Sequence, residues 1–186
     1  MTRSLWVRVG SLVAGAVALV SVAGSTGWSP SRRGEASTPA AAPTVDSNVI
    51  DFAGLRGIQF GASMGELEAS GAVSTSEPAC GPTFPDIKTA SPVFDGDRLV
   101  LIWAHPPLRT PEGVTVGTSV AEAKRAYPSA LALTPPAGSP VFPALLVTGG
   151  GDRAYLLLYD QGEVQKIIVG YERHIRLLFE TGFGVC

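Results

Sequence analysis

Apolar and polar residues alternate along two stretches of the chain that lie 56 positions apart. The first is Gly57-Ile58-Gln59-Phe60-Gly61-Ala62-Ser63-Met64-Gly65-Glu66. The second is Gly113-Val114-Thr115-Val116-Gly117-Thr118-Ser119-Val120-Ala121-Glu122. The period of two ahead of each central glycine predicts a short extended approach. After the glycine the period lengthens. Met64 and Leu67 fall at i and i+3, and Val120, Ala123 and Tyr127 at i, i+3 and i+7, which predicts one short amphipathic helix per copy. Ser63 with Glu66, and Ser119 with Glu122, have capping-box spacing. The serine oxygen accepts from the third helical N–H, and the glutamate accepts from the serine N–H. Gly71 and Pro128 are placed to end the two helices. The four cap residues thus have structural work, and no histidine lies near either copy in sequence to turn a serine into a nucleophile.

Strand patterns follow each helix. In the first copy, Val93 and Phe94, the turn Asp95-Gly96-Asp97, and the run 99–104 predict a hairpin. The run is apolar on both faces, as a central strand would be. In the second copy, 131–133, 144–148, 154–159 and 164–171 predict strands, with turns at Gly149-Gly150-Gly151-Asp152 and Asp160-Gln161-Gly162-Glu163. Residues 177–179 predict an added edge strand. The proline-rich stretches 77–92 and 135–143 predict loops. The two hairpins correspond at an offset of 65, so the second copy carries about nine extra residues ahead of its turn. Together these elements predict an α+β domain over 49–186, with repeat one at 49–108 and repeat two at 109–186. Two tandem helix-then-antiparallel-strand repeats would form one sheet with the short helices packed on one face.

Composition changes the picture mainly at the N-terminus. Of 186 residues, 45% are apolar and 16% charged, and the formal net charge is −2 with no run of lysine or arginine. That excludes a reader of nucleic-acid phosphates. Part of the apolar fraction lies ahead of the domain. Arg3 and Arg8 precede an apolar run from Val9 to Gly24, so residues 1–24 read as a signal peptide, with Ser21 and Ala23 at the −3 and −1 positions. The same run is long enough for an uncleaved anchor, and membrane contact is expected only in that case. Residues 25–48, rich in proline, alanine, serine and threonine, predict a flexible linker. The expected location is secreted or cell-envelope, extracytoplasmic. In that compartment Cys80 and Cys186 are expected to form a disulfide.

Candidate chemistry is sparse. Two cysteines and the distant His105 and His174 show no metal-ligand spacing. Gly149 to Gly151 lack the lysine and helix of a phosphate loop, so no metal and no cofactor are expected. His105 stands between a strand and two prolines, and His174 lies among charges in Glu172-Arg173-His174. Both read as exposed strand-end or edge residues, with catalysis as the alternative. Asp95, Asp97, Asp152 and Asp160 accompany glycines in turns. No catalytic residue is assigned and no enzyme is expected. The binding candidates are Trp103, Tyr155, Tyr159 and Tyr171. On a strand Tyr155, Leu157 and Tyr159 share one face, and Leu156 and Leu158 the other. Helices over the leucines would leave the tyrosines as interface anchors; helices over the tyrosines would make them core.

The motif G-h-x-h-G-x-S-h-x-E-h, present twice and followed each time by antiparallel strands, resembles the tandem modules of beta-lactamase inhibitor proteins. More loosely it is similar to the single-module lipoproteins of outer-membrane assembly. Residues 110–128, T-x-E-G-V-x-V-G-x-S-x-x-E-x-K-x-x-Y-P, look like a stretch shared by uncharacterised exported proteins of high-GC Gram-positive bacteria. The inhibitor resemblance implies a concave, aromatic-rich sheet face that grips a partner protein. An extracytoplasmic protein-interaction or inhibitor-like binding module, using the sheet face and hairpin loops, is therefore expected. The sequence departs from the family in its cysteines, one per repeat rather than a pair in each, and has no counterpart of the inhibitory hairpin loop. The alternative is a small secreted hydrolase or ligand-binding domain. A cleft lined by His105 or His174 together with a carboxylate would favour it.

Overall fold

Strand pairing carries both halves of the chain into one six-stranded antiparallel sheet. The computed structural model describes residues 46–76 and 81–182. The expected signal peptide, Cys80, Cys186 and their expected pairing lie outside the described residues.

The first half contributes the small pair β1 (Gly54–Leu55) and β2 (Ile58–Gln59), helix α1 (Met64–Ala69), and the hairpin β3 (Ala90–Asp95) with β4 (Arg98–Ala104). The second contributes helix α2 (Val120–Ala126), β5 (Leu131–Leu133), β6 (Ala144–Thr148), β7 (Arg153–Asp160), β8 (Glu163–Tyr171) and helix α3 (Glu172–Thr181). The strand order is β3-β4-β8-β7-β6-β5. This is the α+β architecture expected from the alternating pattern.

Both capping boxes are formed. The Glu66 N–H donates to the Ser63 Oγ at 3.2 Å, and the Ser63 N–H donates to the Glu66 carboxylate at 3.1 Å. Ser119 and Glu122 repeat the arrangement at 3.2 and 3.2 Å. Gly71, at φ 74, closes α1 in a Schellman motif: its N–H bonds to the Glu68 carbonyl, and that of Ala72 to Leu67. In the stretch 110–128, Thr110 is buried and its Oγ1 accepts from the Val114 N–H at 3.2 Å. The Tyr127 hydroxyl donates to the Glu112 carboxylate.

The repeat is a repeat of geometry. Gly61 and Leu99 are hydrogen-bonded at 2.8 Å, and so are Gly117 and Val164. Each N-cap serine forms an antiparallel bridge to the first residue of its hairpin's second strand, Ser63 to Arg98 and Ser119 to Glu163. Each hairpin bulges at the same place, Val93/Phe94 and Leu158/Tyr159. The strands β4 and β8 then pair with each other. Trp103 opposes Ile168, its own equivalent at the 65-residue offset, and the pair Ile102–Val169 mirrors Ala104–Ile167. The two hairpins thus meet about a local two-fold axis. The backbones come close here. A side chain at Gly170, whose φ is 151, would place its Cβ 2.1 Å from the Val100 carbonyl oxygen.

Both faces of the sheet are covered. Ile102, Leu145, Val147, Tyr155 and Leu157 pack in one buried cluster with Leu67 of α1 and Ala123 of α2. Leu101, Leu146, Leu156, Leu158 and Ile168 pack in another with Ile175 and Phe179 of α3. The two capped helices therefore share one face as expected, and α3 takes the opposite one. The edge strand expected at 177–179 is a correction: those residues belong to α3. Ile175 and Phe179 are buried at i and i+4, and Glu172 accepts from Arg176 one turn on, so helical spacing prevails over the local apolar run. Residues 90–92, expected in a loop, open β3, where Pro92 is tolerated because β3 is an edge strand.

A candidate ligand cleft at the end of the sheet

The aromatic residues singled out in the sequence do not form one exposed face. Tyr155 is 0% exposed. Its ring packs 4.3 Å from that of Phe52 and 6.0 Å from that of Tyr127, and its hydroxyl donates to the Ile50 carbonyl at 3.1 Å. Burial pushes that hydroxyl's pKa up. Of the two readings open for Tyr155, the core one holds and its place among the binding candidates is corrected, because α1, α2 and the segment around residues 50–52 cover its side of the sheet. Tyr159 is half-buried against the same core. Trp103 is half-buried on the α3 side, with the Lys166 ammonium 5.6 Å from its ring centre. His105 is exposed, its ring 3.4 Å from the Ser91 hydroxyl.

Tyr171 lies elsewhere, at the point where β8 passes into α3. There the turn between β3 and β4, the start of β7 and the first turns of α3 enclose a cleft of about 610 Å³. The first copy lines it with Asp95, Arg98 and Val100. The second lines it with Asp152, Tyr171 and the α3 side chains of Glu172, Arg173, His174 and Arg176.

Local folding fixes each group. The turn at Gly96, with φ 58, delivers Arg98 to the head of β4, where its Nη1 donates to the Gly61 carbonyl at 2.9 Å. Asp152 takes a left-handed backbone, φ 58, which aspartate tolerates, and its carbonyl accepts the Glu172 N–H at 2.8 Å. The N-cap of α3 is Tyr171, which makes no side-chain capping bond. The Tyr171 ring instead carries the Arg153 guanidinium at 3.5 Å.

The wall between the two copies is an ion cluster. The His174 Nε2 lies 3.0 Å from the Asp95 Oδ2, and the Arg173 Nη2 lies 3.6 Å from the same oxygen. The hydrogen bond from His174 holds the Asp95 carboxyl below the usual aspartate range, with the charges of His174 and Arg173 adding to the effect. Arg176 reaches back one turn to Glu172 at 2.7 Å.

The Nε2 of His174 is engaged by Asp95, and its Nδ1 is buried without a partner, so neither ring nitrogen is presented to the cleft. No serine, threonine or cysteine lines it. Among the described residues, no group of three metal-ligating side chains comes together.

Asp95 and His174 were both readable as surface residues, one in a turn and one among charges. They stand 79 positions apart, and it is the β4–β8 pairing that brings them together. Arg98, Asp152, Arg173 and Arg176 carried no sequence signal of a site. The clue available was helical spacing of Glu172 with Arg176 and of Ile175 with Phe179, which would have put Arg173 and His174 on a helix start. The chain matches no protein-family model, no curated protein and no solved structure.

Proposed function

We propose that this protein is an exported ligand-binding domain whose ligand is held in the cleft between the first hairpin's turn and α3. One observation carries the reading. The concavity of about 610 Å³ has the size of a small-molecule site, and its charged lining converges from both copies of the repeat. The burial of Tyr155 removes one of the four aromatic residues expected to anchor a partner on the sheet face.

Export rests on Arg3, Arg8 and the apolar run that follows them. No described helix is long and apolar enough to cross a membrane. The expected product in culture medium is a chain beginning at Gly24. Full-length chain confined to the membrane fraction would replace export with anchoring.

The cleft is tested by amide NMR spectra of the full chain titrated with a panel of small polar metabolites. Shifts gathered on Asp95, Arg98, Tyr171 and α3 support it. Shifts confined to other elements, or none across the panel, would overturn it.

A second reading is a protein-interaction module of the beta-lactamase inhibitor type, with a protein partner. The two capped-helix hairpins joined about a local axis favour it. Its contacts would fall on the hairpin turns at 95–97 and 160–162. A cell-envelope extract that shifts both turns and leaves the cleft unmoved would favour this second reading.

A further inference from the structure

Resting on the cleft as the binding site, we infer that its ligand is a zwitterion: a small molecule bearing a carboxylate and an ammonium group, the class of free amino acids and short peptides. The charges of the lining point to it. Three acidic and three arginine side chains line the cleft with His174, so it offers charges of both signs. Asp95 is matched by Arg173 and His174, and Glu172 by Arg176. Arg98 and Asp152 remain outside these pairs, with Arg98 near enough to Glu66 to help lower its pKa but not in an ion pair with it. Neither has an oppositely charged side chain within 4.0 Å among the described residues.

Each of the two is set up for a different group. Arg98 is anchored through one nitrogen to the Gly61 carbonyl, which leaves the rest of its guanidinium fork to take a carboxylate. The first turn of α3, which no side chain caps, lines the same cleft and adds the positive end of a helix dipole. Asp152, its backbone fixed in the turn ahead of β7, supplies the counter-charge for an ammonium group. Val100 and Tyr171 give an apolar lining for the atoms between. A ligand with one charge would match one of these side chains and leave the other facing it unmatched. A zwitterion matches both.

The test uses the full chain and three probes: glycylglycine, its N-acetyl derivative and its C-terminal amide. Glycylglycine is expected to shift the cleft amides to saturation, and each blocked form to bind about tenfold more weakly or worse. Arg98→Gln should abolish the penalty for amidation, and Asp152→Asn the penalty for acetylation. Both positions are exposed, and asparagine tolerates the left-handed backbone, so Asp152→Asn should keep the parent melting temperature and Arg98→Gln, which gives up the bond to the Gly61 carbonyl, should lower it only slightly. Blocked probes that bind as well as glycylglycine would overturn the inference. So would a cleft that responds to other panel metabolites and not to glycylglycine, and in that case the cleft itself would stand. A cleft that responds to nothing would remove both.

Discussion

The turn between β3 and β4 and the turn between β7 and β8 occupy equivalent places in the two copies, yet their surroundings differ. In the first, Asp95 is tied to Arg173 and His174 of α3. Its equivalent, Asp160, accepts the Gln161 N–H within its own turn at 2.9 Å. At the head of the next strand, Arg98 donates to the Gly61 carbonyl. The equivalent residue is Glu163, which bears the opposite charge and has no such donor. The cause lies in the segment beyond each hairpin's second strand. After β8 the chain continues into α3. After β4 come Pro106 and Pro107, and the chain turns away so that Arg109 bonds with Asn48 and Ile50. Caps, bulges and the central glycine contacts are shared by the two copies. The cleft belongs to the end where they diverge, and that divergence locates the candidate site better than the repeated motif does.

Tyr155 offers the severest test of this comparison, because Ala90 holds the equivalent place in β3. If the second copy depends on its larger core, Tyr155→Ala should cost about 3–5 kcal/mol, the range for a buried aromatic truncation. It would also strand the Ile50 carbonyl that its hydroxyl serves. Tyr159→Ala, at a half-buried rim position, should cost about 1–2 kcal/mol, since less area leaves contact. Urea denaturation of both variants decides the matter. A loss below about 1 kcal/mol at Tyr155 would return it to the surface and revive the sheet-face interface.

Local features of this fold were legible because their causes are local. A serine three residues ahead of a glutamate needs no distant partner to cap a helix, and Asp95-Gly96-Asp97 turns where it stands. The helix α3 was not legible in that way. Its run Leu177-Leu178-Phe179 looks like a strand, and the spacing of Ile175 with Phe179 gains meaning only against Leu156, Leu158 and Ile168. Alternation along β7 says that Tyr155 and Leu157 share a face. It cannot say which face is covered, and here both are. The cleft was hardest of all to foresee. Its two halves come from the two copies, and only the β4–β8 register sets Asp95 beside His174.

The helix caps carry the smallest expected effects, and they test how alike the copies are. Ser63→Ala and Ser119→Ala should each cost about 1 kcal/mol at neutral pH, read by thermal or urea unfolding. Acid should then separate them. Glu66 and Glu122 are both held below the ordinary glutamate value of 4.5 by the backbone N–H and the hydroxyl of their cap serines, with the order of the two reversed between the copies. For Glu66 the main cause is the Ser63 backbone N–H, which the alanine variant keeps. For Glu122 it is the Ser119 side chain, which the variant loses. A carboxyl with a depressed folded-state pKa contributes stability that is complete above its unfolded value and fades as the pH falls through the folded one. The gap between parent and Ser119→Ala should therefore narrow between about pH 7 and pH 3, while the gap for Ser63→Ala changes less. Equal narrowing in both copies would mean that the two boxes hold their glutamates in the same way, and that the copies differ only beyond their hairpins.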